Sequence, residues 1–343
     1  MSNNYKATLK QHADILLNTS SSWQDKRNTL HAIAGLFSSM DIYDLQDQST
    51  NAETNEKWLG TGYAVSSWSA AMCLLEVART TVFLKGIIEA IQKLLEDTKE
   101  RPINIVDAGC GPYAILSIIP ALYFSSNDIQ LYLIDIIPEN IISIKKTITK
   151  LELVNYIGGI YEEDAGQFKW TKNAPMHIAV SETMLNALRK EPQVAITLNL
   201  RNQLAPQGIF IPEQISVDLM AVNAQKKQHA KMLLHDNLIR EEFETKLANI
   251  MELSKNSPAA NKENTIPLKE VQLTNAYNPN LHELALYTTI KVFGNNILQH
   301  EDCSLTLPFI ISRPYKNTIA ENALLQFQYR ISGKPAIEIA VIA

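Results

Sequence analysis

The chain has 343 residues, 46% of them hydrophobic and 20% charged, with a formal net charge of −5. That length accommodates about two domains with full apolar cores, and a slightly acidic, well-mixed charge set leaves no broad basic field for generic nucleic-acid binding. Three scattered cysteines, Cys73, Cys110 and Cys303, lack the paired spacings of a zinc site or a secreted disulfide framework and suit a reducing compartment.

The opening segment, MSNNYKATLKQHADILL, has no basic stretch leading into an uninterrupted apolar run, and no later window reaches ~18 consecutive apolar residues. The expectation is a cytoplasmic protein that binds neither membrane nor nucleic acid. Up to about residue 95 the pattern is helical. SSSWQDKRNTLHAIAGLF sets Trp23, Leu30, Ile33, Ala34 and Phe37 near one face behind a serine cap, and CLLEVARTTVFLKGIIEAIQKLLE repeats the period over a longer span. From 103 to about 220 short apolar runs (INIVD, IQLYLID, MHIAV, GIFIP, ISVDLMAV) alternate with helix-like segments, which predicts a parallel or mostly parallel sheet with crossover helices. Residues 224 to 256 read as charged helix, SPAANKENT as a loop, and the short alternating runs beyond 266 as an antiparallel β module.

Within INIVDAGCGPYAILSIIPALYF, a strand leads into Asp107, Gly109 and Gly111 and then into a second apolar run at helical spacing. A glycine-rich loop there lets a ligand approach the backbone. Gly109, Gly111 and Ala114 satisfy the loose dinucleotide pattern, so on this motif alone a nicotinamide cofactor, another nucleoside ligand and a plain tight turn all stand. Two more acids narrow the choice. IQLYLID ends at Asp135, where a carboxylate can accept from ribose hydroxyls, and GGIYEEDAGQF puts Asp164 and Ala165 after the next strand, suited to an adenine amino group.

IVDAGCGPYA, LID and EEDAGQF resemble the successive S-adenosylmethionine motifs of class I methyltransferases. The segment MHIAVSETMLNALRKEPQVAITLNLRNQLAPQGIFIPEQ resembles the protein arginine methyltransferases in particular, with Ser181-Glu182, a second acid at Glu191 and a proline- and glycine-containing turn before the next strand. EVARTT resembles that family's helix whose Arg-Thr contacts the cofactor carboxylate, a role that would pass to Arg79. The resemblance spans roughly residues 60 to 222. It implies an α/β fold in which N-terminal helices (1–99) cap the cofactor site of a Rossmann-like class I methyltransferase domain (100–222). A helical arm (223–265) would then mediate a homodimer, and a barrel-like antiparallel β domain (266–343) would close the chain. S-adenosyl-L-methionine would be held by Arg79, Asp107, Gly109, Gly111, Asp135, Asp164 and Ala165, with Glu182 and Glu191 catalytic.

Nine residues along one α-helix turn the second glutamate about 180° from the first, so the pair converges only if a hairpin-like loop intervenes. Converged, the two carboxylates could hold a guanidinium or amine and take its proton; otherwise Glu191 is a solvated acid beside Pro192. The family's Thr-His-Trp loop is absent. Its nearest counterpart by order is LHELALYTTIKVF, with His282, Glu283 and Thr288 or Thr289, and GTGYAVSSWSAAMC offers Tyr63 and Trp68 over the cofactor without a histidine. The expected activity is N-methylation of an amine or guanidinium on a small molecule or peptide. A protein arginine acceptor, O- or C-methylation in secondary metabolism, a dinucleotide oxidoreductase and an inactive scaffold are the alternatives. The histidines show no ligand spacing, so no metal is expected.

Overall fold

Two amphipathic helices open the computed structural model, which describes residues 4–45, 55–232 and 243–342. They are α1 (Tyr5–Leu17) and α2 (Trp23–Ser39). The Ser22 hydroxyl accepts from the Asp25 N–H while the Asp25 carboxylate accepts from the Ser22 N–H, so two donors of the first turn of α2 are satisfied reciprocally. Leu30, Ile33 and Phe37 are buried, but Trp23 is 61% exposed and stands off the core face that its spacing suggested.

The helical expectation for the first 95 residues breaks at β1 (Lys57–Trp58) and β2 (Tyr63–Ala64), a two-stranded antiparallel hairpin turning through Gly60 and Gly62. Helix α3 (Ser67–Met72) and the long α4 (Val77–Asp97) follow. The parallel unit comprises β3 (Ile103–Ala108), α5 (Ile115–Ile118), β4 (Ile129–Asp135), α6 (Pro138–Lys150), β5 (Ile157–Glu162), β6 (Met176–Ser181), α7 (Gln193–Leu200) and β7 (Leu204–Ile211). Helix α5 is a single turn, shorter than its apolar pattern predicts, because Pro120 cannot supply the next backbone donor. The sheet order is β5-β4-β3-β6-β7, all parallel. The chain builds outward from β3 to β5 and then returns to the other side of β3, so a crevice opens beyond the carboxyl ends of β3 and β6.

The rest is antiparallel. It contains β8 (Gln214–Asn223), α8 (Ala224–Met232), β9 (Glu244–Leu253), β10 (Thr265–Gln272), β11 (His282–Phe293), β12 (Asn296–Leu298), β13 (Phe309–Ser312), β14 (Leu324–Arg330) and β15 (Ala336–Ile342). One sheet runs β12-β11-β8-β9 with β13 on β11, and the other runs β10-β14-β15.

Two boundaries differ from expectation. Strand β8, assigned by sequence to the Rossmann-like unit, pairs with β11 and β9 and belongs to the β domain. The expected helical arm, 223–265, contains α8 and then β9, a strand; residues 233–242 of that arm lie outside the described residues. Two register shifts against β8 break the period-two alternation of ETKLANIMEL and left it looking helical. Asp218 on β8 pairs across with Lys246 at 2.7 Å and accepts from Asn249 at 2.9 Å.

Candidate active site

The crevice between β3 and β6 is floored by the glycine loop. Gly109 has φ +80°, and a Cβ there would collide with Thr183 Cγ2 on the loop after β6, so only glycine lets the two strand ends meet this closely. Asp107, at the end of β3, is fully enclosed; burial pushes its carboxyl up to about 7 against the 2.7 Å hydrogen bond donated by Ser117. Asp135, ending β4, accepts from the Gly111 N–H at 2.8 Å, the Ile137 N–H at 2.9 Å and Asn140 Nδ2 at 3.1 Å. It therefore fixes the glycine loop from the neighbouring strand, although burial still raises its pKa. Asp164 is turned by a bond from the Gly166 N–H, 2.8 Å.

At the other end of the crevice lie the glutamates. The chain between them folds back as a hairpin-like loop, with a bridge between Leu185 and Arg189 and a 3₁₀ turn over Asn186–Leu188. Ala187, Leu188 and Lys190 all have φ between 53° and 66°, which is costly for residues with a Cβ. The β domain holds them there. The Ala187 N–H donates to Thr288 Oγ1 (2.9 Å), Asn186 Nδ2 to the Leu307 carbonyl (2.7 Å), the Tyr329 hydroxyl to the Leu188 carbonyl (2.7 Å) and the Lys190 N–H to the Pro335 carbonyl (2.8 Å).

This fold-back brings Glu182 and Glu191 to one cavity of ≈ 540 Å³, lined also by Arg79, Asp107, Gly109, Gly111, Asp135, Asp164 and Ala165. The seven residues expected to hold the cofactor and the two expected to be catalytic therefore share one enclosure, of a size usual for small-molecule sites. Tyr63 and Trp68 line it too. Arg79 donates from Nε (2.9 Å) and Nη2 to Glu182 Oε2 and from Nη1 to Glu76 Oε1 (3.3 Å), so its guanidinium is shared between two glutamates. Glu182 Oε1 is buried without a hydrogen-bond partner among the described residues. Burial raises the Glu182 carboxyl despite Arg79, and burial together with the Glu182 charge pushes Glu191 up to about 8. Three carboxylates thus face one guanidinium, an arrangement that would be relieved by a further cation.

Sequence reasoning missed three contributors, Glu76, Ser304 and Leu305. Glu76 lines the cavity and accepts from Ser304, from its N–H at 2.8 Å and its hydroxyl at 2.6 Å. The i, i+3 spacing to Arg79 on α4 was a usable signal. Ser304 and Leu305, on a 3₁₀ turn before β13, are the β-domain residues that reach the cavity. The stretch nominated for that position does not reach it. His282 Nδ1 accepts from the Asn278 N–H, Glu283 pairs with Arg313, and Thr288 is spent on the Ala187 backbone. No signal in the local sequence separates a turn that enters a distant site from one that does not.

No known family model matches the sequence, and no curated protein matches it. Among solved structures the chain is similar to PRMT6 (TM-score 0.55, 12% identity, 80% of this chain and 99% of that one) and to a PRMT6–SAH structure (0.54, 12%, 80% and 99%). A looser overlap, TM-score 0.48 at 13% identity over 79% of this chain and 96% of that one, is with the Trypanosoma brucei PRMT1 enzyme-prozyme heterotetrameric complex with AdoHcy. The chain has the fold of the PRMT6 structures: a parallel α/β unit with N-terminal helices followed by antiparallel β sheets. No helix among the described residues is long and apolar enough to cross a membrane.

Proposed function

We propose that the protein is an S-adenosyl-L-methionine-dependent N-methyltransferase acting on an amine or guanidinium. The observation that carries this reading is the convergence of Glu182 and Glu191 on the cavity that also contains the glycine loop and the acids ending β3 and β4. The likeness to a PRMT6–SAH structure supports it at the level of fold.

The residues present fit the cofactor. Gly109 and Gly111, both at positive φ, put bare backbone on the cavity wall, and Asp135 Oδ2, which accepts the Gly111 N–H, has a second lone pair that could take a ribose hydroxyl. Asp164 and Ala165 would meet the adenine, and Arg79 would share its guanidinium with the carboxylate. A loop crowded by Asp107 and Asp135 suits a ligand bearing an ammonium and a sulfonium and no phosphate. When bound, the cofactor supplies an electrophilic sulfonium methyl.

The chain's own residues hold the acceptor. Glu182, with one oxygen tied to Arg79 and the other unpartnered among the described residues, is set to accept a hydrogen bond from a cationic nitrogen. Glu191, whose pKa is lifted to about 8, would be drawn into its ionised form by a cationic acceptor and can then take up the proton released on transfer. A homodimer formed through the segment after β8 and a small-molecule or peptide acceptor belong to the same proposal; a protein arginine is the second acceptor class. Calorimetric titration with S-adenosylhomocysteine, followed by mass spectrometry of a cell extract incubated with isotopically labelled cofactor, tests it. Absence of S-adenosylhomocysteine binding would refute it.

A further inference from the structure

The β1–β2 hairpin shows two large aromatic rings to solvent where the core has no use for them. Trp58 is 45% exposed and Tyr63 39%, yet their rings pack on each other with centroids 4.5 Å apart. The hairpin is short but firmly seated. Gly62 lies so close to the Lys190–Pro192 backbone that a Cβ on it would come within 2.8 Å of three backbone atoms, and its φ is +139°. The Tyr63 N–H donates to the Lys190 carbonyl at 2.8 Å and the Gly333 N–H to the Gly60 carbonyl at 2.7 Å. The aromatic pair is therefore welded to the backbone that carries Glu191. Tyr63 forms part of the cavity wall, whereas Trp58 does not line it and packs on the Tyr63 ring.

We propose that Trp58 and Tyr63 form an acceptor-specificity rim, which selects a methyl acceptor that carries a planar, unsaturated group on the stem of its cationic nitrogen. This inference rests on the N-methyltransferase reading of the same cavity. Tyr63 lines the same cavity as Glu191 and its ring packs on the exposed Trp58, so a ligand with its nitrogen among the glutamates can extend from the wall onto both rings. The charge set inside asks for a cation, and the rings outside offer stacking and cation–π faces at low conformational cost. A bare alkylamine would touch only the inner ring. A ligand long enough to reach past Tyr63 would also meet the exposed face of Trp58, and Trp and Tyr are the side chains that dominate such contacts.

The test compares phenylalanyl-arginine amide with alanyl-arginine amide by calorimetry, with and without S-adenosylhomocysteine, on the full chain and on Trp58→Ala and Trp58→Phe. The Phe probe is expected to bind about tenfold more tightly than the Ala probe. Trp58→Ala should bring the ratio to within about twofold and Trp58→Phe should restore part of it, with the S-adenosylhomocysteine affinity unchanged in both. Equal affinities in the parent, no detectable binding of either probe, or a preference that survives Trp58→Ala would overturn the proposal. So would a change of sedimentation on Trp58→Ala without a change in probe ratio, which would make the pair a contact between copies of the chain. Loss of the cofactor-product titration alone, with the ring preference intact, would instead count against the methyltransferase reading.

Discussion

Replacing Glu191 with glutamine should stabilise the protein, by an amount that grows with pH. Burial and the nearby Glu182 raise the Glu191 carboxyl from an ordinary 4.5 to about 8. The folded state therefore binds this proton more tightly than the unfolded chain does. The stability it contributes is fully present below pH 4.5 and is lost as pH rises through about 8. At pH 6 the loss is ~2 kcal/mol; above pH 8.5 the full shift of about 3.5 units corresponds to at most ~5 kcal/mol. Glutamine keeps the shape and has no such proton to lose. With an unfolding entropy of ~2 cal/mol/K per residue, Glu191→Gln should melt within about 1 °C of the parent at pH 4.5, roughly 3 °C above it at pH 6 and at most roughly 7 °C above it at pH 9. Scanning calorimetry across that range measures the difference. A difference that is flat or shrinks with pH would show Glu191 to be an ordinary solvated acid, and would remove it from the cavity's charge set.

Glu182→Gln should lower turnover by ~10²-fold or more while leaving S-adenosylhomocysteine affinity nearly unchanged; full turnover at saturating cofactor would point to a neutral oxygen, carbon or sulfur acceptor. Asp135→Ala removes the acceptor of three hydrogen bonds along with any to ribose, so calorimetry should find S-adenosylhomocysteine bound at least ~10-fold more weakly, and unchanged affinity would sink the assignment. Gly109→Ala should weaken the same binding through the collision with Thr183 Cγ2, and Thr183→Ser, which deletes that methyl, should recover part of the loss. A double variant no better than the single would place the cause elsewhere. Tyr329→Phe strips the Leu188 carbonyl of a buried donor and should cost ~1–3 kcal/mol in denaturant unfolding and reduce turnover without touching cofactor-product affinity; equal loss of both would mean that the loop and the cofactor end are not separable.

The parallel unit and the residues gathered at its crevice were legible because their signals are local. Asp107 and Asp135 close buried runs of strand length and Asp164 follows a half-buried one, and order along the chain is enough to put successive strand ends at one edge of a parallel sheet. The Glu182–Glu191 fold-back was readable as a requirement, since a helix would separate the two side chains, but not as a geometry. What stayed hidden was set by tertiary contact. Strand β9 lost its alternation to two register shifts against β8, and the strands of the β1–β2 hairpin are two residues each, too short for any period to show. Ser304 reaches the cavity only because Glu76 takes its N–H and hydroxyl from 228 residues away.

The β domain has a second duty that its sequence does not announce. Three residues of the glutamate loop, Ala187, Leu188 and Lys190, sit in left-handed backbone, at ~1–3 kcal/mol each. Four hydrogen bonds from the β domain reach that loop, each contributing ~0.5–1.5 kcal/mol net, and Ala187 and Leu188 add apolar burial. The two sums are of the same size, so the loop on its own would relax toward ordinary backbone and carry Glu191 away from Glu182. The parallel unit can supply the strand ends and the glycine loop by itself. The paired carboxylates exist as a pair only because an antiparallel domain presses on the chain between them, and that ties the acceptor end of the cavity to the second half of the sequence.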